Sequence, residues 1–140
     1  MTLPALNYLA VLTAGVLIFM LGGLWYSPML FAKPWMAGMG KSEAEFKASA
    51  ADMNMALSYG SVFLCGLITA VVLAIVLNGL GATTALAGAC VGALCWLGFA
   101  GATSFGTALF AGKPKALWLI DSGFNLVSFV VAGIILAVWR

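Results

Sequence analysis

Long apolar runs separated by short polar segments dominate the chain. Three of these runs contain no charged residue, and the last contains one, Asp121; they cover about residues 3–26, 55–78, 83–110 and 116–139. Roughly 20 apolar residues in a helix cross the ~30 Å hydrocarbon core of a bilayer. The pattern therefore predicts an all-α membrane protein in which residues 1–140 form a single domain of four transmembrane helices.

Most charged residues lie between the first two runs. Ser42-Glu43-Ala44-Glu45 has the spacing of a capping box, in which the serine and the second glutamate cap each other's backbone N–H groups. We therefore expect a helical extension over about residues 42–55 that begins outside the bilayer. It would continue directly into the second span near Met55.

Composition argues against several classes of function. Hydrophobic residues make up 64% of the chain and charged residues 7%, whereas soluble domains carry roughly a quarter charged residues. The net charge of +2 is too small to predict nucleic-acid binding, and the partner we expect is the lipid bilayer. Histidine is absent, and the three cysteines match no metal or redox spacing. We expect no metal, no cofactor, no catalytic residue and no enzymatic activity.

The distribution of basic residues predicts an orientation. Five of the six lie in the first and third connections, which share one side of a four-helix protein: Lys33, Lys41, Lys47, Lys113 and Lys115. Lysine-rich connections favour the cytoplasmic side. Segments 27–55 and 111–115 are therefore predicted in the cytoplasm, and both termini outside.

Two patterns bear on how the helices pack. Residues 22–34 resemble residues 101–114, ending in Leu-Phe-Ala-Lys-Pro and Leu-Phe-Ala-Gly-Lys-Pro respectively, which raises the possibility of two parallel-repeat hairpins. Small residues four apart are abundant and allow helices in lipid to approach closely. The third span is small on more than one face, so we expect it either at the centre of the bundle or at a subunit interface.

One ionisable residue lies inside a predicted span. Asp121 is followed on the same helical face by Asn125 and Ser128, and this polar line could bind a cation, relay protons or line a hydrated path. Alternatively, Asp121 lies shallow enough to pair with Lys33 or Lys115 and fix the register of the helices.

Several motifs together resemble a known family. They are Trp25-Tyr26-Ser27-Pro28, Leu30-Phe31-Ala32-Lys33-Pro34-Trp35 and Gly123-Phe124 in the last helix. With these motifs the chain resembles, over nearly its full length, a bacterial family of small integral-membrane proteins classified as a domain of unknown function. The resemblance implies a four-helix membrane fold, which we expect in the bacterial inner membrane, and it supplies no activity, substrate or catalytic residue. In that family a tyrosine often follows the glycine, where this chain has Phe124.

The motifs also indicate a cluster at the cytoplasmic end of the bundle. Its members are predicted to lie near the level of Asp121 as a structural or binding collar: Trp25, Tyr26, Lys33, Trp35, Lys113 and Trp118. The function that we expect is a homo-oligomeric channel or transporter for a small solute or ion. The alternative is a non-catalytic membrane scaffold or regulatory subunit.

Overall fold

Six helices make up the computed structural model, which describes residues 5–139. They are α1 (Tyr8–Trp25), α2 (Ala32–Gly38), α3 (Glu43–Ala51), α4 (Met55–Gly79), α5 (Ala85–Phe110) and α6 (Lys115–Val138). A π-helical turn, Trp96–Gly101, interrupts α5. The predicted start of the first span at residues 3 and 4, and Arg140, lie outside the described residues.

Four of these helices, α1, α4, α5 and α6, are long and apolar enough to cross a membrane. Helices are the only regular structure in the described part of the chain, as a membrane span requires, because lipid leaves backbone polar groups no partner outside the segment. The predicted all-α class with four spans is confirmed, and the protein is a multi-pass membrane protein.

Polar side chains fix where three of the four spans begin. Asn7 Oδ1 accepts hydrogen bonds from the backbone N–H groups of Leu9 and Ala10, at 3.0 and 3.1 Å. Asn54 and Thr84 cap the starts of α4 and α5 in the same way. Each cap satisfies backbone donors that have no partner within the first helical turn.

The connection between α1 and α4 differs from the predicted continuous extension over residues 42–55. The capping box forms: Glu45 accepts from the Ser42 backbone N–H at 2.8 Å, and Ser42 Oγ accepts in return. These bonds from Ser42 lower the pKa of Glu45. However, α3 ends at Ala51, and α4 starts separately because the extended Asn54 caps Leu57 N–H. Residues 32–38 form an additional helix, α2, that the pattern of hydrophobic positions did not predict.

Helix α6 occupies the centre of the bundle. It packs against α1, α4, α5 and α2, whereas α5 contacts chiefly α6. The sequence favoured the third span either for this central position or for a subunit interface; the central position belongs to α6 instead, and the subunit interface stays a prediction. The difference arises because the Gly88 and Gly92 face of α5 is buried, whereas Ala85 is exposed and Ala89 and Ala93 are only half-buried.

Helices α5 and α6 approach each other closely at glycines on both helices. A Cβ atom on Gly88 would overlap the carbonyl oxygen of Gly133, and one on Gly92 would overlap that of Phe129. Small side chains on α1, α4 and α6 form the core next to this contact, among them Ala10, Ala14, Ala70, Ala74 and Ala132. The end of the bundle that contains Gly88 is therefore closely packed, backbone against backbone.

Gly88→Ala should destabilise the protein by on the order of 1–3 kcal/mol, because the added methyl group meets backbone that cannot move independently. Gly98→Ala is a matched control in the same helix, since no atom lies within 4 Å of the added carbon. Unfolding in detergent micelles measures both free energies. Equal stability of the two variants would contradict the packing described above.

Candidate functional site

The carboxylate of Asp121 joins the last helix to the connection after α1. Its Oδ1 atom accepts a hydrogen bond from Tyr26 Oη and another from Trp35 Nε1, both at 2.9 Å. Neither Lys33 nor Lys115 pairs with it, since the one ion pair within residues 5–139 joins Lys47 and Glu43. The register of α6 against the first connection is therefore set by neutral donors rather than by a salt bridge.

Local structure in two elements positions these donors. Tyr26 is the first residue after α1, and its backbone N–H still bonds to the carbonyl oxygen of Gly22. Trp35 lies in the first turns of α2, where Pro34 is tolerated because that turn requires no N–H donor. The Tyr26 and Trp35 rings meet edge to face, with centroids 5.4 Å apart. The two donors thus converge on one carboxylate oxygen.

Two further indoles donate to backbone carbonyls of α6 beside Asp121. Trp25 Nε1 donates to the carbonyl oxygen of Ile120, and Trp96 Nε1 donates to that of Ser122, each at 3.0 Å. Trp96 is the first residue of the π-helical turn, and π-helical turns are frequent at functional sites. Tryptophans from α1 and α5 therefore hold the Asp121 segment from two sides.

A cavity of about 260 Å³ lies between the second half of α5 and the first half of α6. It is lined by Ser104, Thr107, Ala108, Lys113, Trp118, Asp121, Ser122 and Asn125. Asn125 is ten residues beyond Lys115, or roughly 15 Å along α6 at helical rise. The cavity therefore extends roughly 15 Å along α6 from the lysine-bearing third connection, a length that is about half of a ~30 Å hydrocarbon core.

Several lining groups already have partners. Trp118 Nε1 donates to Ser104 Oγ at 3.1 Å, and Ser104 Oγ donates to the carbonyl oxygen of Gly101. Thr107 Oγ1 donates to the carbonyl oxygen of Thr103. These bonds fix the wall of the cavity on the α5 side and leave little donor capacity there for a ligand.

Four other lining groups have no hydrogen-bond or ion-pair partner among residues 5–139. They are Asp121 Oδ2, the Asn125 amide, Lys113 Nζ and Ser122 Oγ. Ser122 is only 4% exposed, so its hydroxyl is shielded from bulk water. The hydroxyl also has no hydrogen-bond partner in the described chain. Buried polar groups in native proteins are nearly always hydrogen-bonded. The arrangement has the donors and acceptors needed to bind a small polar molecule.

The predicted residues separate into distinct groups. Asp121 and Asn125 share the cavity, but Ser128 lies deeper, 3% exposed and outside the lining set. Of the predicted collar, Trp25, Tyr26 and Trp35 bond to the Asp121 segment, Lys113 and Trp118 line the cavity, and Lys33 is exposed.

Sequence reasoning missed the contribution of α5. Ser104 and Thr107 were passed over because the third span has no charge, although three hydroxyls within residues 103–107 mark a polar segment. Ser122 also lines the cavity, although nothing in the sequence beyond its place next to Asp121 singles it out. Its orientation towards the cavity depends on the rotation of α6 relative to α5, which a single helical pattern does not determine.

Tyr26→Phe should destabilise the fold by on the order of 1–2 kcal/mol, because Asp121 loses one of two donors. In an Asp121→Ala background the same change should have a much smaller effect, since the acceptor is gone. Unfolding in detergent of the wild type, the two single variants and the double variant measures this coupling.

Tyr59→Phe is the control, because the Tyr59 hydroxyl has no hydrogen-bond partner within residues 5–139. Additive effects of Tyr26→Phe and Asp121→Ala would refute the interaction.

Comparison with known families agrees with this architecture. Residues 9–137 match the family model described as "Protein of unknown function (DUF1761)". No curated protein and no solved structure matches the chain significantly. The family match includes most of all four membrane-spanning helices and both connections that contribute to the Asp121 site. The chain therefore belongs to the DUF1761 family of proteins of unknown function.

Proposed function

We propose that the protein binds a small polar solute or ion in the Asp121 cavity and moves or senses it at the membrane. The observation that carries the proposal is the set of four unpartnered polar groups around one cavity that extends roughly 15 Å along α6 from the third connection. An ionisable group in a membrane span is costly, so its retention favours a functional role. A binding role needs no catalytic residue, and we propose no enzymatic activity.

The geometry of Asp121 supports binding over a purely structural role. A carboxylate that only fixed helix register would be expected to use both oxygens or to pair with a cation. Here Tyr26 and Trp35 both bond to Oδ1, Oδ2 has no partner in the described chain, and the residue lines the cavity. The two donors orient the carboxylate without neutralising its charge, and a charge that is oriented in advance favours ligand binding.

The interior beyond the cavity supports a shared or changing pathway. The polar line of α6 ends at Ser128, and Ala132 and Leu136 continue the same face at 0% and 4% exposure. These apolar residues close the bundle towards the end that contains the closely packed Gly88. A solute could therefore cross only if the bundle opens or if subunits provide a common path. We propose a homo-oligomer whose cavities open to the cytoplasm, the side predicted for the lysine-bearing connections.

Asp121→Asn tests this function directly. The asparagine oxygen still accepts from Tyr26 and Trp35, so the fold should persist while the charge is lost. In proteoliposomes we expect uptake of potassium, ethylammonium or L-alanine above that of protein-free vesicles. For the transported probe, Asp121→Asn should reduce the initial rate at least tenfold. Unfolding midpoint and oligomer mass should stay unchanged.

Asp52→Asn is the matched control, because Asp52 is an exposed carboxylate in the first connection and should leave uptake intact. Unchanged uptake in Asp121→Asn would contradict the role of this carboxylate. If no probe enters and none binds, while Asp121→Asn alters only stability or assembly, the result would favour the scaffold alternative instead.

A further inference from the structure

We propose that the ligand of the Asp121 cavity is a small zwitterion, whose ammonium group pairs with Asp121 and whose carboxylate pairs with Lys113. This inference rests on the proposed function, because it names the chemistry of the solute that the same cavity takes. It starts from the presence of one acidic and one basic side chain in the lining of one cavity.

These two charges do not neutralise each other. Within the described chain, Lys113 has no carboxylate within salt-bridge distance, and no cation pairs with Asp121. Asp121 lies six residues beyond Lys115, or roughly 9 Å along α6 at helical rise. The acid is therefore deep in the cavity, and the lysine belongs to the connection at its mouth.

The backbone on both sides keeps the two charges apart. Gly112 adopts a positive φ of 63°, a conformation that glycine allows readily, and the next backbone N–H, that of Lys113, bonds to the carbonyl oxygen of Ala108 at 3.0 Å. This turn caps the end of α5 and fixes where the lysine side chain starts. Tyr26 and Trp35 fix Asp121 at the other end. The two charges thus belong to two separately anchored segments.

A ligand with a single charge would satisfy only one of them. A simple cation bound at Asp121 would still face the positive Lys113, and a simple anion would face the carboxylate. An unpaired charge at the partly buried Asp121 is costly, and the exposed Lys113 at the mouth attracts the opposite charge of a ligand. A zwitterion with its ammonium group inward and its carboxylate outward pairs with both. The volume of about 260 Å³ suits a molecule of several heavy atoms rather than a bare ion.

The remaining free groups lie at the inner end of such a ligand, because Asn125 is one turn deeper along α6 than Asp121. The Asn125 amide offers two donors and an acceptor, and the buried Ser122 hydroxyl offers one donor and acceptor lone pairs. Both lie on the same helix as Asp121, four residues and one residue away. The Asn125 amide can bond to the ammonium group or to a polar substituent, and would thereby contribute to selectivity among zwitterions. The Ser122 oxygen exposes less than 1 Å² of surface, so its hydroxyl would join only after a change of rotamer.

Binding to the full chain in lipid nanodiscs tests the inference. The zwitterionic probes are L-alanine, β-alanine and 4-aminobutyrate, which place one to three carbons between the charged groups. Ethylammonium and propionate each carry only one of the two charges. We expect at least one zwitterion to bind tenfold or more tightly than either single-charge probe, measured by calorimetry.

Lys113→Gln should weaken binding of that zwitterion about tenfold and leave ethylammonium binding equal or tighter. Asp121→Asn should weaken binding of both. Lys115→Gln is the matched control: Lys115 is two residues away and does not line the cavity, so affinity should not change.

Two results separate this inference from the proposed function. If ethylammonium binds as tightly as every zwitterion, or Lys113→Gln leaves zwitterion affinity unchanged, the zwitterion assignment is overturned. Solute binding at Asp121 would still stand if Asp121→Asn abolished it. If no probe binds to the folded wild-type chain, both the zwitterion assignment and the proposed function fall.

Discussion

The hydrogen bonds to Asp121 are the interaction on which the lysine-bearing end of the molecule depends. Tyr26 and Trp35 come from the segment after α1 and meet the carboxylate on α6. Because both donors are neutral, they satisfy one oxygen and leave the charge uncompensated. A salt bridge at this position would have fixed the helices equally well but would have neutralised the site. Neutral donors therefore let the same carboxylate fix the helices and still bind a ligand, as the proposed function requires.

The two ends of the α5–α6 pair serve different physical purposes. At Gly88 and Gly133 the backbones touch, and association in lipid is driven by such close packing. The π-helical turn at Trp96–Gly101 follows, and beyond it α5 stands away from α6 and the cavity opens. Trp96 spans this transition by bonding to Ser122. The closely packed end at Gly88 and Gly133 thereby holds α5 and α6 together, while the other end leaves polar groups unpaired around the cavity.

Hydrophobic patterning was sufficient to predict the four spans, because lipid restricts the chain to long apolar helices. The capping box at Ser42 was also predicted, since it depends only on neighbouring residues. The break at Asn54 was not predicted. Asn54 caps a new helix by accepting from the Leu57 N–H, and this cap competes with continuation of α3 into α4. In the site, Asp121 and Asn125 were predicted from their spacing on one helix. The partners Tyr26 and Trp35 belonged to a predicted collar, but their bonds to one oxygen depend on how distant segments pack.

Water access to Asn125 tests the central claim, a polar cavity that extends roughly 15 Å along α6 from the third connection. In a background with the three cysteines replaced, Asn125→Cys and Ser128→Cys would be treated with a membrane-impermeant cationic thiol reagent from the lysine-bearing side. The structure predicts rapid labelling at position 125, which lines the cavity, and little at position 128, which is 3% exposed. An unreactive Asn125→Cys, or equal labelling at both positions, would contradict the account.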